Sequence, residues 1–321
     1  MDTKSEDSKA DAPARKRPSA IALFLLFYGG TLLLAAVLAP LFFFATKCLA
    51  EPFPSGLFAH FLDRGFGKFF ARAKLIAFCA LLVPLLKISG IGKAEMGFEK
   101  ISKVKFFSIL LAGSAVVWLV FAGLAWKNTF TMGVISIAAC LRSMPKFIAA
   151  AAAISFIEEV IFRGIIFRLF VRDLGAAWAS IFSALFFAHC HVGAGSSTPV
   201  AAADVTIFSG FQCVAAFPLE FFHNFNALHF LNLAMLGVLL AALLLKFGSL
   251  FASMAFHFGA VFAIVTWRNF FKIAKITGGW QRSIGILDTW ITFAAQLLAV
   301  ALLIFPMWRQ SRRSRSQIPA A

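Results

Sequence analysis

The sequence predicts an all-α membrane protein, a polytopic bundle of about eight transmembrane helices, and three observations carry the prediction. Of 321 residues, 61% are hydrophobic and only 14% are charged. Apolar runs near the roughly 20 residues that a helix needs to cross a hydrocarbon core recur along the chain. Lys and Arg collect at the flanks of those runs, where membrane orientation places them. A soluble domain is about 45–50% apolar and about 25% charged, so this chain has too little polar surface to cover a water-facing core. Low hydrophobicity, glycine periodicity and dense cysteine are all missing, which excludes disorder, collagen and a disulfide scaffold. The net charge of +16 is spread along segment flanks and forms no single stripe, so the expected partner is the lipid bilayer and no nucleic acid.

The first 20 residues are polar and mixed in charge, ending near Arg15, Lys16 and Arg17, and read as a disordered tail. The run from Ile21 to Thr46 is longer than a signal-peptide core and lacks a small-residue cleavage site, so it reads as a retained helix, kinked by Pro40. Further spans are expected at 75–86, 106–126, 147–171, 176–191, 227–245, 250–267 and 286–308. The first of these is short unless its basic amphipathic lead-in contributes. Between the spans, residues 193–225 carry no Lys or Arg and an apolar stretch broken by Gly210, Pro218 and Glu220, the pattern of a re-entrant or interfacial segment. The larger share of basic residues falls on the side that holds both termini, so both are expected in the cytoplasm. The five cysteines lack CxxC spacing and read as small hydrophobes.

The chemistry lies in three apolar helices. Ser143 and Pro145 read as start signals for a helix strengthened by the alanines at 149–153. That helix carries Glu158, Glu159 and Arg163. Ionisable groups at membrane depth cost at least about 2.5–3.5 kcal/mol on insertion scales, so they should face a protein-lined cavity and be partnered. Glu159 and Arg163 are four residues apart, on one face. Glu158 is turned about 100° away and is free to accept a proton from water. The alternative is a cytoplasmic boundary at which Arg163, Arg168 and Arg172 snorkel.

The next helix holds Ser183, Phe187 and His191 at four-residue intervals, with His189 on a different side. A third, after a turn at Gly248, holds Ser249, Ser253 and His257, small residues that allow close helix approach beside an imidazole. Either histidine alone could serve only to hydrogen-bond a neighbouring helix.

The glutamate pair and the two histidines together amount to a buried acid/base site, and their motifs resemble a known family. EEVIFR (Glu158 to Arg163) matches EExxxR, FAHCH (Phe187 to His191) completes SxxxFxxxH, and Leu236 to His257 gives a helix, a glycine turn and a helix ending in histidine. The chain thereby resembles the type II CAAX prenyl protease and bacteriocin-processing (CPBP, or Abi) intramembrane endopeptidases. The resemblance implies a peptidase in which Glu158 activates water, Glu159 and Arg163 support it, and His191 and His257 position water or stabilise the oxyanion. It implies a peptide or membrane-protein substrate, no cofactor and no metal. Two histidines and a carboxylate would also make a zinc set, but no HExxH pair is present.

One position departs from the family pattern: its last motif reads HxxxN, and Val261 stands where the asparagine would be. Asn224, Asn226 and Asn232 could substitute, or could simply cap the preceding helix. The organisation expected is a tail (1–20), N-terminal transmembrane helices (21–142), a catalytic core (143–267), a loop and last span (268–308) and a basic tail (309–321), in an inner or plasma membrane. The alternative function is a catalytically weak or inactive immunity or assembly protein on the same scaffold. A proton-coupled transporter is a third reading, against which no inverted repeat is apparent.

Overall fold

The computed structural model describes residues 18–52, 56–126, 137–192, 200–223, 225–270 and 289–316. The expected turn at 193–199, most of the 268–288 loop, Asn224, residues 1–17 and residues 317–321 lie outside them. The described residues form an all-α polytopic membrane bundle. Eleven α-helices run in order: α1 Ala20–Ala50, α2 Leu57–Leu62, α3 Phe66–Ser89, α4 Lys93–Met96, α5 Lys103–Trp126, α6 Ile137–Glu159, α7 Arg168–His191, α8 Ser209–His223, α9 Ala227–Phe247, α10 Leu250–Phe270 and α11 Trp290–Ser316. A π-helical segment, Val160–Phe167, joins α6 to α7, and a 3-10 turn spans Ala202–Asp204. α1, α3, α5, α9 and α10 are long and apolar enough to cross a membrane. Their outer faces expose Leu26, Leu119, Val83 and Leu245, side chains that suit lipid and would be a liability in water.

The lead-in to α3 does contribute, for that helix starts at Phe66 and not near Leu75. Pro145 lies inside α6 and does not open it; α1, α3 and α8 also run through their prolines, Pro40, Pro84 and Pro218. A proline removes one helical hydrogen bond, whereas ending the helix at membrane depth would leave several backbone groups unsatisfied, so continuation is the less costly choice. The expected spans at 147–171 and 176–191 are two arms of one helical stretch that breaks at Gly175, whose φ of 74° and ψ of 168° leave the helical region. Gly248, with φ 64°, closes α9 in the left-handed conformation and turns the chain into α10. α8 has 15 residues, about 22 Å of helix, and is too short to cross the hydrocarbon core alone.

α1 packs along α3 and α8, α10 lies between α5 and α6, and α9 lies between α7 and α11. The tightest crossing joins α5 to α10. A Cβ on Gly113 would strike the Phe256 carbonyl, and one on Gly259 would strike that of Leu110. Ser114 Oγ donates to the Gly259 carbonyl at 2.9 Å across the same crossing. These small-residue contacts hold the histidine-bearing helix against its neighbour, the geometry that membrane packing favours.

At one end of the bundle the Gly175 turn ties down the start of α1. Asp173 accepts from the Ala20 N–H, beside the Ser19 cap, while Arg172 donates to the carbonyls of Pro18 and Ser89 at 3.1 and 3.3 Å. The Ala20 N–H and then Arg172 hold the Asp173 carboxyl below its ordinary range. A carboxyl so depressed stabilises the fold above the ordinary carboxylate range and loses that contribution as pH falls through its lowered value. Asp173→Asn should therefore lower the melting temperature in detergent at neutral pH by the equivalent of about 1 kcal/mol, the size of a lost cap. The difference from wild type should close below about pH 4; a gap that persists there would mean that the charge of Asp173 is not what holds the turn.

Candidate active site

Five side chains from four elements, α6, the π-helical segment, α7 and α10, meet in one cluster. The alanine-rich α6 delivers Glu158 and Glu159 at its C-terminal end, and the π-helical segment follows directly, a rare geometry that recurs at functional sites. Glu159 is fully buried and Arg163 is 1% exposed, with Arg163 Nη1 3.0 Å from Glu159 Oε1. Arg163 Nη2 donates to the Gly237 carbonyl at 3.2 Å, and its guanidinium lies 4.8 Å over the Phe187 ring. Gly237 makes this possible: a Cβ there would lie 2.7 Å from that of Ala184 and push α9 off α7.

The second partner of Glu159 comes from α10. His257 Nδ1 lies 2.9 Å from Glu159 Oε1, so one carboxylate oxygen receives both Arg163 and His257. Ser249 and Ser253, the small residues one and two helical turns before it, are wholly buried. The stripe that predicted a close interface does form one.

Glu158 faces a different environment. Its Oε2 lies 3.5 Å from His191 Nε2 and 3.8 Å from His257 Nε2. Glu158 and His191 side chains are 23% and 32% exposed, against 4% for His257, so these two form the accessible part of the cluster. His191 Nδ1 lies 2.7 Å from the Phe187 carbonyl. Since a carbonyl only accepts, Nδ1 carries the proton there and Nε2 is left toward Glu158; the same reasoning with Glu159 leaves His257 Nε2 toward Glu158. Phe187 is the common platform, with its ring centroid 4.3 Å from that of His191 and 6.2 Å from that of His257.

Glu158 and His191 open on a cavity of about 320 Å³ whose other walls carry Tyr28, Lys74, His189, Cys190 and Phe217. His189 does not point away from the site as its helical position predicts: it shares the cavity with His191, its Nε2 2.7 Å from the Tyr28 hydroxyl. Tyr28 and Lys74 were missed by sequence reasoning. The only available signal was that Tyr28 is the one tyrosine beside 41 phenylalanines and that Lys74 is a charge inside an apolar helix.

Of the three candidate asparagines, Asn224 lies outside the described residues and the other two have roles of their own. Asn226 caps α9, accepting from the His229 N–H at 3.0 Å, as a capping residue should. Asn232 is buried in the core instead, donating to the carbonyls of Leu228 and Thr289. Neither lines the cavity. Among the described residues, no group of three or more His, Cys, Asp or Glu is arranged to hold a metal ion.

Within this helical membrane bundle a carboxylate pair, one member of it buried, meets two convergent imidazoles, an arrangement with the groups that acid/base chemistry needs. Residues 140–263 match the family model described as type II CAAX prenyl endopeptidase, Rce1-like. The match contains Glu158, Glu159, Arg163, His191 and His257, and the preceding helices α1, α3 and α5 lie outside it. No curated protein and no solved structure matches the chain.

Proposed function

We propose that the protein is an intramembrane endopeptidase that hydrolyses a peptide bond of a membrane-associated or leader-bearing substrate through water activated by Glu158. The convergence of Glu158 Oε2 with two imidazole Nε2 atoms at 3.5 and 3.8 Å carries this reading. The three atoms are close enough together for one water molecule to reach them all, with Glu158 as the group that can take its proton. Glu158 takes a proton from that water as it attacks the carbonyl, then returns it to the leaving amine. Glu159, fixed by Arg163, orients His257. His257 so held stands where an imidazole can position the water or meet the developing oxyanion, a type of contact whose loss commonly costs about 2.7–4 kcal/mol.

The basic flanks support an orientation with both termini in the cytoplasm of a cell enclosed by an inner or plasma membrane. The start of α1, the end of α3 and the Gly175 turn are hydrogen-bonded together, which supports placing the basic residues Lys87, Arg168 and Arg172 on one side. The second reading, an immunity or assembly protein without catalysis, is favoured by Val261, which offers no donor to the oxyanion.

The deciding experiment is mass spectrometry of the termini of small membrane or leader-bearing proteins co-expressed with wild type or with Glu158→Gln. New termini that appear only with wild type support the protease; identical termini support the scaffold. Cleavage in purified membranes should also survive EDTA and phenanthroline. If chelators stop it and zinc restores it, the two histidines and Glu158 act as metal ligands and the mechanism above is wrong.

A further inference from the structure

One charged side chain of the cavity has no partner in the catalytic cluster. Glu159 is matched by Arg163, and Glu158 faces His191 and His257. Lys74, eight residues into α3, lines the same cavity. Among the described residues it makes no hydrogen bond or ion pair, and its ammonium rests 5.3 Å from the centroid of the Phe217 ring. Arg72, two residues earlier, behaves as an ordinary flanking cation, exposed and donating to the Lys68 carbonyl. Lys74 is instead half-buried among apolar walls. A lone cation in a membrane helix is costly and marks a place where a counter-charge arrives.

Resting on the endopeptidase reading, we propose that Lys74 is a specificity-determining residue that pairs with a carboxylate of the substrate, either a free C-terminus or an acidic side chain. A cavity of about 320 Å³ is at the lower end of ligand-sized sites, so a group held at Lys74 is within one short peptide segment of Glu158. The Tyr28 hydroxyl and His189, which line the same cavity, supply further polar atoms. Tyr28 and Lys74 both lie before the family match at residues 140–263. The proposed hydrolytic groups thus come from the segment that the family model matches, while the proposed recognition comes from helices outside it.

The test uses the full chain in phosphatidylcholine nanodiscs, carrying Glu158→Gln so that no peptide is consumed. The probes are one fluorescein-labelled mixture of short apolar peptides made in three forms: free C-terminal acid, C-terminal amide, and amide with one internal aspartate. Binding is read by anisotropy. At least one carboxylate form should bind about tenfold or more tightly than the plain amide, the size of one charge-assisted bond. Which form it is distinguishes terminus from side chain. Lys74→Met should bring the ratio to about one, and Lys74→Arg, an equal charge, should retain most of it. Equal binding of all three forms, or a preference that Lys74→Met leaves unchanged, overturns the proposal. With Glu158 restored, a Lys74-dependent preference without cleavage would remove the endopeptidase reading and keep the anion site; cleavage without that preference would do the reverse.

Discussion

Glu158→Gln should reduce cleavage by about 10²–10⁴-fold, the range associated with a positioned general base. Glutamine keeps the shape and can still donate to an imidazole, but it cannot accept a proton from water. Glu158 is partly exposed to the cavity and makes no buried ion pair with Arg163, so membrane abundance and melting temperature should stay close to wild type. His191→Ala should lower activity through the same atom, since its Nε2 faces Glu158 Oε2. Processing unchanged by Glu158→Gln in a well-folded protein would leave the non-catalytic scaffold as the surviving reading.

Arg163→Met should unfold the protein more readily, with a loss of about 3–5 kcal/mol, because it strands Glu159 as an uncompensated charge where neither side chain is more than 1% exposed. The variant also frees the Gly237 carbonyl from its partner and removes the cation over Phe187. The check is thermal unfolding in detergent, followed by the double variant Glu159→Gln with Arg163→Met. Removing both charges should recover part of the loss, since the uncompensated carboxylate is then gone. A single variant as stable as wild type would show that the pair does not hold these helices together.

Much of this architecture is legible in the sequence because lipid simplifies the reading. A long apolar run at membrane depth has to be a helix, so the spans at 227–245 and 250–267 sit within one to three residues of α9 and α10. The pairing of Glu159 with Arg163 follows from helical spacing alone, and the buried serine stripe on α10 follows from residue size. Local rules failed where tertiary packing overrode them. Pro145 reads as a boundary from its ring chemistry, yet α6 continues through it. Asn232 reads as an end cap, yet it is six residues past the true cap at Asn226 and is buried. The cavity wall was the least visible part, because Tyr28 and Lys74 are 130 and 84 residues from Glu158 and no periodicity joins them.

The π-helical segment after Glu159 sets a condition on the length of the chain. Its wider turn accommodates a surplus residue, and each residue in an α-helix accounts for about 100° of rotation. The stretch before it therefore aims the glutamates at α10, while Leu169 and Phe170 beyond it share one apolar cluster with Leu23 and Phe27 of α1. Were one residue lost between 160 and 167, the spare turn would close and these two loyalties would compete: either the carboxylates or Leu169 and Phe170 would face the wrong neighbour.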